Sequence, residues 1–257
     1  MPEFDSNGVS INYIDEGSGP AVVLVHGFAS SLQGNWRAPG IVDALIATGR
    51  RVVALDCRGH GRSGKPHDPT AYDGTKMADD VIALMDHLHI DVADLMGYSM
   101  GGGIAASLLV RHPERFRSVI LAGVGDGIVL GVRPRARSEA IANAMQAPAG
   151  TRVEDETARN FRTFAERSGN DLEALAAIQR ARRGGNGPSR IGEVTLPVMV
   201  LIGEHDTLVG SGDKLAAAIP GAKLVKVPGD HLTAVGQPQF RQAIVDFLAH
   251  QSPVAAG

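Results

Sequence analysis

Gly97-Tyr98-Ser99-Met100-Gly101 places a serine between two glycines, where an apolar strand-like run meets a helix-like one. So tight a strand-to-helix turn lifts the Ser99 hydroxyl clear of a sheet and sets the free N–H groups of a helix start beside it. Bulky side chains two residues before and two after would clash, so both positions are glycine. The chemistry such a serine suits is attack on a carbonyl carbon. A hydroxyl is a poor nucleophile at neutral pH and needs a general base, and an imidazole titrates in the right range. Of the nine histidines, His231 is the candidate. It follows the last strand-like run, in Val227-Pro228-Gly229-Asp230-His231, and precedes the final helix. A carboxylate is then required to fix the imidazole tautomer and stabilise its cation. Asp206 in Gly203-Glu204-His205-Asp206 follows a strand and is the preferred acid; Asp126, after the preceding strand, is its rival. Asp230 adjoins His231 but is expected to face away from its ring. The order along the chain is Ser99, Asp206, His231.

Attack on a carbonyl also needs donors for the oxyanion that develops. The Met100 N–H at the helix start is one. The second is the Phe28 N–H, from the loop His26-Gly27-Phe28 that follows the 21–25 run. His26 is expected to tie that loop down rather than to act as a base. Phe28, Met100, Leu208 and Val209 would line a mostly apolar pocket. Trp36 would either reach that pocket or pack beside the oxyanion loop. Aromatic residues make up 4% of the chain, which argues against an aromatic-stacking cleft.

These residues need a scaffold that brings strand ends to one edge. Short apolar runs at 9–14, 21–25, 51–55, 93–98, 118–122, 197–203 and 222–227 read as strands, and the continuous run at 21–25 reads as covered on both faces. Amphipathic segments at 42–48, 77–88, 100–111 and 238–250 read as helices. Alternation of strand and helix predicts a mostly parallel sheet with helices on both faces. Asn7-Gly8 is a hairpin signal, so 2–5 and 9–14 should pair antiparallel at the sheet edge. Residues 127–190 break the pattern: they are rich in arginine and lack lysine and tyrosine. Stretches at 138–146, 153–167 and 171–183 read as helices, closed by a Gly-Gly-Asn-Gly-Pro loop at 184–188. The segment reads as a helical insertion, with 1–126 and 191–257 forming the core.

The chain of 257 residues is ordinary in composition, 44% hydrophobic and 21% charged, and fits one domain. A net charge of -3 offers nothing to hold nucleic acid or an anionic membrane. The acidic, polar start MPEFDSNG is unlike a signal peptide, and no apolar run is long enough to span a bilayer. A single cysteine, Cys57, makes no internal disulfide. A cytoplasmic location is the resulting expectation. No His, Cys and Asp cluster at metal-ligand spacing, and Gly101-Gly102-Gly103 lacks the partners of a dinucleotide site. Neither metal nor organic cofactor is expected.

His26-Gly27-Phe28, the stretch from Asp56 to Ser63 (DCRGHGRS), Gly97-Tyr98-Ser99-Met100-Gly101-Gly102, Gly203-Glu204-His205-Asp206 and Gly229-Asp230-His231 resemble, in order and over nearly the whole chain, the α/β-hydrolase superfamily. The resemblance implies an eight-stranded, mostly parallel sheet with a small helical cap after the sixth strand, at 127–190. It implies a structural role for the Asp56 to Ser63 loop. Epoxide hydrolases and haloalkane dehalogenases carry aspartate at the elbow, where this chain has Ser99. Epoxide hydrolases also use cap tyrosines, and the tyrosines here are Tyr13, Tyr72 and Tyr98. Perhydrolases carry a proline in the oxyanion loop, which is absent here, and carbon–carbon bond hydrolases often carry Trp where this chain has Leu232. Simple carboxylesterases and enol-lactone hydrolases remain. The expectation is a serine esterase acting on small-molecule esters with short to medium acyl chains. The alternatives are a lactone or carbon–carbon bond hydrolase with the same three residues, or a slow-turnover small-molecule sensor.

Overall fold

The computed structural model describes residues 1–129, 135–182 and 190–251. The expected 184–188 loop and Arg183, the expected end of the third inserted helix, lie outside the described residues.

Eight strands form one sheet in the order β1-β2-β4-β3-β5-β6-β7-β8. β1 (Glu3–Ser6) and β2 (Val9–Gly17) make an antiparallel edge hairpin through Asn7-Gly8, and β2 also runs antiparallel to β4 (Arg51–Leu55). From there β3 (Ala21–Val25), β5 (Ala93–Tyr98), β6 (Phe116–Ala122), β7 (Val198–Gly203) and β8 (Lys223–Val227) continue in parallel. Every residue of β3, β5 and β7 is buried, as strands covered on both faces require.

Two cores flank the sheet, and the pleat assigns residues to them alternately. Val23 and Val25 face α2 (Lys76–His87) and α3 (Met100–Arg111); Val22 and Leu24 face α1 (Ile41–Ala47) and the closing helix, α8 (Pro238–Ala249). Among the described residues three α-helices lie between β6 and β7: α4 (Arg135–Gln146), α5 (Glu156–Arg167) and α6 (Leu172–Arg180). α5 starts later than its composition suggests because Asp155 caps it, accepting the Ala158 N–H; Asp171 caps α6 in the same way. Two arginines of this segment tie its helices together. Arg162 donates to the carbonyls of Ala144, Met145 and Ala147 at the end of α4, and Arg180 joins α6 to Glu139, Asn143 and Gln146.

One α-helix of the core follows from no sequence pattern: α7 (Asp213–Ala218), between β7 and β8. At six residues it is too short to show a period. The lower end of β5 is anchored by Asp94, wholly buried, which accepts from Arg50, Arg117 and Ser118. The upper end of the same strand leads into Ser99.

Candidate active site

Ser99 joins β5 to α3 with φ 54° and ψ -109°, outside the regions open to an unstrained side-chain-bearing residue. The turn closes so tightly that a Cβ on Gly97 would stand 2.0 Å from the Gly101 carbonyl oxygen. One on Gly101 would stand 2.0 Å from that of Val25. The two glycines are therefore a condition for the turn. The strain is held by the helix that follows and by the Ser99 N–H, which bonds to Ala122 on β6 at 2.8 Å.

Ser99 Oγ lies 2.8 Å from His231 Nε2, and His231 Nδ1 lies 2.7 Å from Asp206 Oδ2. The serine is half-buried; the imidazole and carboxylate are buried. Asp206 leaves the end of β7 and His231 the loop after β8, so a parallel pairing brings them together across 25 residues of sequence. With Asp206 ionised, Nδ1 carries the proton and the Nε2 lone pair faces the serine hydroxyl. A hydroxyl so placed can lose its proton to the imidazole while attacking a carbonyl.

Asp126 lies elsewhere. Its carboxylate accepts the N–H groups of Lys214 and Leu215 at the start of α7. Asp230 binds its own loop: Oδ1 accepts from the N–H groups of Leu232 and Thr233 and from the Thr233 hydroxyl, which in turn accepts the Asp230 N–H. The Thr233 hydroxyl holds the Asp230 carboxyl below the usual carboxylate range. The loop bearing His231 is further tied by Tyr98, whose phenol donates to the His231 carbonyl at 2.6 Å. Burial pushes that phenol's pKa upward, so it stays a donor.

The loop after β3 lies against the elbow: a Cβ on Gly27 would stand 3.4 Å from Ser99 Cβ. Both ring nitrogens of His26 are engaged. Nε2 accepts the Cys57 N–H at 2.9 Å, which leaves Nδ1 to donate to the Gly27 carbonyl at 2.8 Å. Burial lowers the His26 pKa, keeping the ring neutral in this bridge. Asn35 accepts the Gly27 N–H. Among the described residues no protein acceptor takes the Phe28 N–H. Met100 opens α3, so its N–H has no partner within the helix. The Asp56 to Ser63 stretch supports this loop from behind. Asp56 accepts from the N–H groups of Leu32 and Arg62 and from the Asn12 amide, and His60 Nε2 accepts the Ala29 N–H.

Leu208 and Val209 sit half-buried on the turn after Asp206, with the Leu208 N–H on Asp206 Oδ1. Trp36 is not beside them. Its ring is fully buried in the core formed with α1 and α8, among Ile41, Leu45 and Phe240. Two further residues at the site carry no signal in the sequence. Tyr98 stood in the elbow motif, but nothing local revealed its contact with His231. Asn170, in the α5–α6 turn, donates from Nδ2 to the Ala29 carbonyl at 2.8 Å. Among the described residues no three His, Cys, Asp or Glu side chains are grouped to hold a metal ion, and no helix is long and apolar enough to cross a membrane.

The family model for the α/β-hydrolase fold matches residues 20–168. A 2-hydroxymuconate semialdehyde hydrolase from Pseudomonas sp. strain CF600 is 38% identical over 123 residues, covering 47% of this chain and 42% of its own length. The match to that curated relative thus spans less than half of either protein. Among solved structures, a hydrolase from Pseudomonas aeruginosa PA01 superposes with a TM-score of 0.79 at 28% identity, covering 96% of this chain and 97% of its own. The enol-lactonase from Burkholderia xenovorans LB400 superposes with a TM-score of 0.74 at 28% identity, covering 97% of this chain and 100% of its own.

Proposed function

This chain belongs to the α/β-hydrolase fold family, and on that premise we propose that it is a serine hydrolase cleaving carboxylic esters through an acyl-enzyme on Ser99. One observation carries the reading: the continuous chain of contacts from Ser99 Oγ through His231 to Asp206, at 2.8 and 2.7 Å.

His231 Nε2 takes the Ser99 proton as Oγ bonds to the ester carbonyl carbon. The carbonyl oxygen becomes an oxyanion, received by the N–H groups of Phe28 and Met100. Collapse of this intermediate breaks the bond to the alcohol oxygen, which leaves with the proton held by His231. A water molecule then gives a proton to His231 and attacks the acyl carbon. The second collapse frees the carboxylic acid and returns the proton to Ser99. Asp206 stays ionised throughout and stabilises the imidazolium. Residues 127–190 serve as a cap over the core formed by 1–126 and 191–257. Leu208 and Val209 supply apolar wall to a pocket for small-molecule esters with short to medium acyl chains.

A lactone is an ester whose alcohol stays attached, so the same atoms would open it. The likeness to the Burkholderia xenovorans enol-lactonase over 97% of this chain favours this as the second reading. The deciding experiment compares wild type, Ser99→Ala and His231→Ala on p-nitrophenyl esters of graded chain length and on enol-lactones. Fast p-nitrophenol release lost in both variants supports the esterase. Ring opening far faster than release from the open-chain esters moves the substrate to lactones. Turnover that survives Ser99→Ala refutes both.

A further inference from the structure

We propose that Asn170 is a positioning residue for the oxyanion hole, so that docking of the helical segment onto the core completes the catalytic geometry. This rests on the reading of Ser99 as an acylated nucleophile and of the Phe28 N–H as an oxyanion donor.

Ala29 directly follows Phe28 and has φ 59°, a left-handed conformation that L-residues with a side chain avoid. It is fully buried and held from both sides. Its N–H, in the peptide plane shared with Phe28, donates to His60 Nε2 at 3.1 Å, a contact made wholly within the core. Its carbonyl oxygen, in the next plane, accepts from Asn170 Nδ2 at 2.8 Å, across from the inserted helices. The Phe28 N–H itself lies in the preceding plane, whose Gly27 carbonyl accepts from His26 Nδ1, and its surroundings are completed by the two planes that follow, set by these two bonds. One clamp is intrinsic to the core, and the other arrives only with the α5–α6 turn. The ring of Phe28 meets Phe161 of α5 edge to face at 5.6 Å, so the same residue is gripped by backbone and ring together.

Asn170 has no competing local duty. Capping of α6 belongs to Asp171, which accepts the Ala174 N–H. The Asn170 backbone N–H closes α5 by bonding to the Ala165 carbonyl, a bond any residue makes. Its side-chain amide is thus free to reach the core. The turn itself does not depend on that amide for attachment, since His67 contacts Asp171 and Glu173, and Asp73 accepts the Arg182 N–H. Loss of the amide should therefore disturb the oxyanion loop without detaching the helices.

The test uses the full chain with Asn170→Ala and the isosteric Asn170→Asp, which sets a carboxylate against the Ala29 carbonyl. Steady-state kinetics on a p-nitrophenyl ester that wild type turns over and Ser99→Ala does not should show kcat about tenfold lower in Asn170→Ala, with KM within about twofold. The Asp variant should be slower still. A trifluoromethyl ketone, whose adduct with Ser99 carries an oxyanion, should lose affinity in proportion to kcat/KM, while the melting temperature falls by no more than the few degrees that one lost buried hydrogen bond costs. If kcat and ketone affinity are unchanged in both variants while wild type turns over, the proposal fails and the esterase reading stands. A rise in KM alone would equally overturn it, marking Asn170 as a substrate contact. A wild type that neither turns over esters or lactones nor binds the ketone would instead sink the reading of Ser99.

Discussion

The phenol of Tyr98 donates a hydrogen bond to the backbone carbonyl of His231 at 2.6 Å, joining the residue before Ser99 to the residue that contacts its hydroxyl. The two rings lie 5.8 Å apart and 33° from parallel. Ser99 and His231 are thus joined by two routes, one through side chains and one through this phenol.

Tyr98→Phe keeps the ring and removes the donor. The His231 carbonyl then loses a buried partner, which costs about 1 kcal/mol. The expected outcome is a melting temperature a few degrees lower and kcat reduced about tenfold with KM little changed. Steady-state kinetics beside thermal unfolding would check it; full kcat would show that the side-chain route alone sets the geometry.

Asp206→Asn tests the acid. An amide in this place donates to His231 Nδ1 and forces the proton onto Nε2, where it faces the Ser99 hydroxyl. Turnover should fall by about 10⁴ while the fold is unchanged. Asp126→Asn should leave kcat near wild type, because Asp126 serves the start of α7.

Asp94→Ala addresses stability alone. It would strand the guanidinium groups of Arg50 and Arg117 beside a buried strand end. Removing one member of such a buried cluster costs about 3–5 kcal/mol. Urea unfolding should show the midpoint falling accordingly.

A pH effect follows from His67. Its two ring nitrogens lie 3.0 Å from Asp171 and 2.8 Å from Glu173. Only the imidazolium can donate to both. The Asp171 hydrogen bond, with both charges behind it, raises the His67 pKa above its ordinary value. The stabilisation is therefore full below about pH 6.5, the unfolded value, and disappears as pH rises through the higher folded one. Burial pushes the Asp171 carboxyl up, but the Ala174 N–H and His67 outweigh it and hold the carboxyl low, so its share is lost only in acid. The melting-temperature gap between wild type and His67→Gln should be widest between about pH 4 and 6.5 and close at alkaline pH. A gap that does not narrow from about pH 6.5 to alkaline pH would count against the imidazolium.

Much of the scaffold was readable along the chain, and for a physical reason. β3, β4, β5 and α3 match their predicted limits because a continuous apolar run or a glycine-bounded turn is a local signal. The helices between β6 and β7 are recognisable in kind; α5 starts late because Asp155 caps it, whereas α6 starts where expected, at its cap Asp171. α7 escaped because six residues carry no period. In the site, Ser99, Asp206 and His231 stood out because each follows a strand, and parallel strands deliver their ends to one edge. Trp36 did not: nearness in sequence to the oxyanion loop says nothing about which face of the sheet a ring will enter, and it entered the α1 and α8 side. The contacts of Tyr98 and Asn170 span 133 and 141 residues and leave no trace in either neighbourhood.

That separation has a temporal side. A chain emerging from the ribosome presents β5, the elbow and α3 long before β8 and the loop bearing His231 exist. During that interval Ser99 lacks both His231 and the phenol-to-carbonyl tie from Tyr98, and the sheet face shared by α1 and α8 is covered by α1 alone. The hydroxyl of Ser99 is thus made early and meets its imidazole late. If Ser99 is the nucleophile proposed above, turnover begins only once β8 has joined the edge of the sheet and brought His231 to it.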